Sequence, residues 1–155
     1  MSDLSPLEEL TLLLLEAPSR KSGGRDPIPG RTHLAKELFL LWKSPVFASQ
    51  LKSVRFEPGR FGPWTEAISV AMDELVSRDL VSVSTGKASV IRLTAGGAKT
   101  AEKLWITLSP ERRAVLTDVK SNLNPLSTEG LLDRIYSAYP EYAVSSEWTG
   151  SRTPK

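Results

Sequence analysis

Residues 10–15 read Leu-Thr-Leu-Leu-Leu-Leu, one residue after Ser5-Pro6-Leu7-Glu8. The tetrapeptide is a helix start. Ser5 offers a side-chain oxygen to the free first-turn amides, and Pro6 lacks only an amide hydrogen that the first turn leaves unbonded. Glu8 stands three residues after the cap. The helix should run to about Ala17, where Pro18 stops it. A surface helix carries one apolar stripe, but this one is apolar nearly all round. It must be covered on more than one side, either as the central helix of the fold or in a subunit interface. A chain of 155 residues that is 40% apolar has the core to do this, since such a length buries roughly 68–70% of its unfolded surface.

The rest of the chain reads as short helices around one hairpin. Pro18, Gly23, Gly24, Pro27, Pro29 and Gly30 mark residues 18–30 as a loop. Thr32 caps a second helix, His33 to Lys43, with Leu34, Leu38, Leu41 and Trp42 on one face and Phe39 and Leu40 widening it. In residues 44–62, Val46, Phe47 and Leu51 suggest a short helix, Val54-Arg55-Phe56 a short strand, and Pro58-Gly59 a turn. Gly62-Pro63 opens a third helix, to about Arg78, with Trp64, Ile68, Ala71, Met72, Leu75 and Val76 at helical spacing. Leu80 to Ser84 alternates with period two, Thr85-Gly86-Lys87 turns, and Ser89 to Leu93 returns as a hairpin. Thr94 caps a fourth helix to about Leu108, with the weak formers Gly96 and Gly97 in its first turn. Ser109-Pro110-Glu111 starts a fifth to about Leu123, with Ala114, Val115 and Val119 inward. Ser127 or Thr128 caps a sixth, with Leu131, Leu132, Ile135 and Tyr136 inward.

The expected fold class is therefore mainly α with a small β-hairpin: a winged helix-turn-helix core plus C-terminal helices. The expected divisions are a winged-helix-like domain over 1–108, a helical extension over 109–148 packed on it, and a frayed tail over 149–155. No apolar run approaches the ~20 residues of a membrane span, and Met1-Ser2-Asp3 lacks a basic signal-peptide start. The absence of cysteine suits a reducing cytoplasm.

Most catalytic chemistry lacks its residues. His33 is the only histidine and there is no cysteine, so neither a zinc site nor a histidine–nucleophile pair has its usual donors. The adjacent carboxylates Glu8-Glu9 and Asp73-Glu74 point to different helix directions. The glycine pairs match neither a phosphate loop nor a dinucleotide fingerprint. No enzyme activity, cofactor, metal or small-molecule substrate is expected. Trp42, Trp64 and Trp105 sit on helices as core residues, and Trp148 is either a lid or an anchor for a partner.

Three segments carry a family likeness. The hairpin ends in Arg92-Leu93-Thr94-Ala95-Gly96-Gly97, which resembles the wing of small archaeal and bacterial winged-helix proteins. Arg31-Thr32-His33-Leu34-Ala35-Lys36 together with Phe61-Gly62-Pro63-Trp64 is similar to uncharacterised YwgA-like and Panacea (SocA-like antitoxin) proteins, in which a Tyr/Phe-Gly-Pro helix start follows a helix. Tyr139-Pro140-Glu141-Tyr142, followed by Ser145-Ser146-Glu147, resembles the ends of such proteins. The likeness spans roughly residues 5–148. It implies protein binding or transcriptional control, with no enzyme chemistry.

Charge separates those two roles. The net charge is +2, yet residues 19–62 hold nine Lys/Arg against three Asp/Glu. Arg20, Lys21, Arg25, Arg31, Lys36 and, at the wing tip, Lys87 are the candidate contacts to nucleic acid; their plain alternative is a solvated surface. The third helix points the other way. With its apolar residues inward, Glu66, Ser69, Asp73 and Ser77 face outward, and no base follows until Arg78. Phosphate binding relies on Lys and Arg, and base reading on Arg, Asn or Gln. About 19 residues, 44–62, also separate the second and third helices, where a helix-turn-helix has a short turn. The first expectation is therefore a cytoplasmic winged-helix adaptor or regulator that binds a protein partner, as a homodimer, through Glu66, Asp73 and Trp148. The alternative is a DNA-binding transcription regulator using the basic segment 19–62 and the wing.

Overall fold

The computed structural model describes residues 3–20, 22–85 and 89–143. Among these, six α-helices and two antiparallel hairpins alternate along the chain. The order is α1 (Pro6–Glu16), α2 (Arg31–Lys43), β1 (Glu57–Gly59), β2 (Gly62–Trp64), α3 (Ala67–Ser77), β3 (Val81–Val83), β4 (Ile91–Leu93), α4 (Ala95–Ile106), α5 (Pro110–Leu123), α6 (Thr128–Ala138) and a 3-10 turn, Pro140–Ala143. No described helix is long and apolar enough to cross a membrane.

Local chemistry starts most of these helices. Ser5 and Glu8 close a reciprocal capping box on α1. Thr94, Ser109 and Ser127 each accept an amide from the first turn of α4, α5 and α6. Helix α2 begins two residues earlier than expected: Gly30 precedes it without a side-chain cap, and Thr32 lies inside its first turn.

Helix α1 is the centre of the fold. Leu10, Leu12, Leu13, Leu14 and Leu15 are all buried, covered by α4, α3, α5 and α2. Transfer of each leucine from water contributes roughly 2 kcal/mol. The core runs without a break from Leu10 of α1 to Leu131 of α6, across residue 108. Its polar-edged corner is an aromatic group around Phe39, with Tyr139 and Tyr142 at 5.0 and 4.8 Å edge-on and Phe56 at 5.6 Å.

Two segments differ from the sequence reading. Residues 44–53 form successive turns rather than a helix, with Phe47 and Leu51 buried. Val54 to Phe56 is not a strand; Trp42 Nε1 donates to the Val54 carbonyl at 2.9 Å. The strand begins at Glu57, and Gly62-Pro63 opens its partner strand rather than α3. Glu57 pairs with Trp64, Pro58 with Pro63 and Gly59 with Gly62. Gly62 has φ +94°, a left-handed value that favours glycine. Helix α3 starts only at Ala67.

The hairpin β3–β4 forms in the expected place, pairing Val81 with Leu93 and Val83 with Ile91. Ile28 bridges Ile91 through hydrogen bonds of 3.1 and 2.9 Å, which pins the loop before α2 to the hairpin. Gly97 has a packing reason: a Cβ there would lie 1.8 Å from the Leu80 carbonyl oxygen. The predicted frayed tail lies outside the described residues.

Candidate interaction surface

Helix α3 sorts its residues by spacing. Ile68, Ala71, Met72 and Leu75 are buried, while Glu66, Asp73 and Ser77 are exposed and Ser69 is half-buried. Trp64, expected on the helix, is half-buried in β2. Val76, expected inward, is exposed, and Val70 is 65% exposed. The outward face thus carries two carboxylates and two valines. Glu66 has no ion-pair partner among the described residues, and Asp73 meets only Arg31, at 3.8 Å.

Arg78, the first base after this face, is already occupied. Its Nε donates to Glu74 Oε2 at 2.7 Å, and a terminal nitrogen donates to Asp3 Oδ1 at 2.8 Å. The guanidinium holds the Asp3 carboxyl below the usual carboxylate range. The pairing ties the segment before α1 to the end of α3.

Three of the candidate nucleic-acid contacts, Arg20, Arg25 and Arg31, each have a carboxylate partner. Arg20 pairs with Asp118 of α5, and its amide donates to Ser121 Oγ at 3.0 Å. Arg25 pairs at 3.0 Å with Glu16, a buried carboxylate at the end of α1. Arg31 reaches toward Asp73 of α3. Each cation is drawn to a carboxylate on a different element. Lys21, Lys87 and Trp148 lie outside the described residues.

Lys36 corrects the expectation of a surface cation. It is 2% exposed, and its Nζ donates to the Pro63 carbonyl at 3.1 Å. Burial lowers its pKa to about 7, because a low-dielectric surrounding disfavours the ammonium. Helix α2 is packed on nearly every side, which leaves no outward position for this residue.

The same packing buries two further ionisable groups of α2. His33 Nε2 lies 2.7 Å from the Leu126 carbonyl. A carbonyl only accepts, so that nitrogen carries the proton, and burial lowers the imidazole's proton affinity. Glu37 is fully buried, neither oxygen has a hydrogen-bond partner among the described residues, and burial raises its pKa well above the ordinary value. Lys120 of α5 opposes that rise. Its own Nζ donates to the carbonyls of Leu15 and Ala17 at 3.1 and 2.9 Å, satisfying acceptors that the end of α1 leaves open.

Sequence reasoning missed the buried lysines and Glu37, since charged residues are seldom fully buried. No protein-family model matches the chain, and no curated protein matches it.

Proposed function

We propose that this protein is a non-enzymatic, cytoplasmic winged-helix adaptor or regulator that binds a protein partner through the outward face of α3. The order helix, extended segment, helix, helix, hairpin, helix is that of a winged helix. The Ile28–Ile91 bridge supports that comparison, because it supplies the short strand before the second helix. The hairpin β1–β2 is then an insertion between the second and third helices.

One observation carries the choice of partner. The helix in the recognition position exposes Glu66 and Asp73 beside Val70 and Val76. An anionic, partly apolar face repels a polynucleotide and suits a protein surface bearing Lys or Arg around an apolar patch. Self-association is not required to cover α1, which this chain buries by itself. A homodimer would have to set a basic face of one copy against α3 of the other, and sedimentation at micromolar concentration tests for it.

The test is a pair of titrations followed by NMR at 50 and 200 mM salt. A basic amphipathic helical peptide should shift α3 resonances, and Glu66→Lys/Asp73→Lys should weaken that binding at least about tenfold. A DNA duplex should shift none. Duplex binding that weakens steeply between the two salt concentrations would establish the DNA-binding reading instead.

A further inference from the structure

Beneath the hairpin β1–β2 lies a cavity of about 380 Å3, lined by Thr32, Lys36, Gly59, Arg60, Phe61, Gly62 and Trp64. It belongs to the size class that holds small organic molecules. Phe61 stands at its mouth, 49% exposed, and Trp64 forms a half-buried wall. Gly62 leaves the room that Lys36 fills. A Cβ at Gly62 would come within 2.6 Å of Lys36 Cε and 3.1 Å of Nζ, so any side chain there would crowd the lysine.

Lys36 is the buried cation of this largely apolar cavity, and Arg60 is its exposed one. An ammonium has three donors, and the Pro63 carbonyl is its one hydrogen-bond acceptor among the described residues. Around it, the ionisable side chains on the packed elements are His33 and Glu37 of α2, Glu57 of β1, Arg60 of the turn, and Asp133 and Arg134 of α6. Among the described residues Lys36 forms no ion pair. A buried cation without a counter-charge is costly, and an incoming anion offsets that cost.

We propose that the cavity between α2 and the β1–β2 hairpin binds a small monocarboxylate with an aromatic or aliphatic body, the carboxylate meeting Lys36 and the body lying between Phe61 and Trp64. The buried ammonium of Lys36 suits one negative charge, whereas a phosphate dianion calls for the forked donors of arginine, and Arg60 of the lining is exposed and already engaged. This reading is independent of the α3 surface.

Calorimetric titration of the whole chain at pH 7.5 tests it, with 3-phenylpropionate, 3-phenylpropionamide and phenyl phosphate as probes. Two buffers of different ionisation heat report the protons exchanged. The expected result is binding of the carboxylate with net proton uptake, at least about tenfold tighter than the amide or the phosphate. Lys36→Met should weaken it at least about tenfold, and Phe61→Ala, a surface change that spares the core, about threefold or more. If Lys36→Met does not fold, proton uptake by the unaltered chain and the Phe61→Ala titration decide. The proposal is overturned by no carboxylate binding at millimolar concentration, by equal binding of the amide, by binding without proton uptake, or by unchanged affinity in Phe61→Ala or in folded Lys36→Met.

Discussion

Lys36 and Lys120 are two buried lysines in two regions that treat the charge differently. Lys120 lies where α5 meets the end of α1, 0% exposed, and donates to two main-chain carbonyls. Glu37, Asp26 and Glu16 surround it with negative charge, and its pKa is lowered to about 8 because burial outweighs them. Lys36 sits under the β1–β2 hairpin with one carbonyl and no carboxylate, and burial alone brings it to about 7. The first lysine closes a helix end and is a structural element. The second borders a cavity and has unused donors. Burial by itself says little about a charged group's role; what its donors meet says more.

Three substitutions sharpen the contrast. Lys120→Met should cost the most, about 3 kcal/mol at pH 7 by urea denaturation, because it orphans the Leu15 and Ala17 carbonyls and leaves Glu37 without its opposing charge. Stability equal to the unaltered chain would show that those bonds contribute nothing. Gly62→Ala should cost about 2 kcal/mol, since alanine at φ +94° is strained and its Cβ meets Lys36. The same variant should lose 3-phenylpropionate binding, and retention of both stability and binding would place the ligand elsewhere.

Lys36→Met should do the opposite of Lys120→Met and stabilise, by about 1–2 kcal/mol at pH 6. The folded pKa near 7 lies below the ordinary 10.5. Between these values the unfolded chain binds more protons, so Lys36 makes stability rise with pH from about 7 to about 10.5. Its full cost is present below pH 7. The advantage of methionine should therefore shrink toward zero near pH 10. A constant difference across pH 6–10 would mean that Lys36 titrates normally.

Local signals were legible in the sequence wherever the chemistry is local. Ser5 with Glu8, Thr94, Ser109 and Ser127 cap helices as residue type and spacing indicate. The inward set Ile68, Ala71, Met72 and Leu75 followed from helical period alone. The β1–β2 hairpin was hidden because its central pair is Pro58 opposite Pro63. Two residues that cannot donate to a ladder resemble a turn and a helix start. Lys36 was hidden for a different reason. Its burial depends on β2 and α6 closing over α2, and nothing within a turn of Lys36 announces that. The cavity, built from segments about 25 residues apart, was equally invisible to local pattern.

The most direct measurement is NMR of lysine side-chain 13Cε signals across pH, with and without 3-phenylpropionate. Lys36 should titrate near 7 alone and at least about one unit higher with the carboxylate present, while Lys120 keeps its own midpoint. Identical Lys36 curves in the two conditions, or a shift shared equally by Lys120, would contradict the distinction between a sealed lysine and one that awaits an anion.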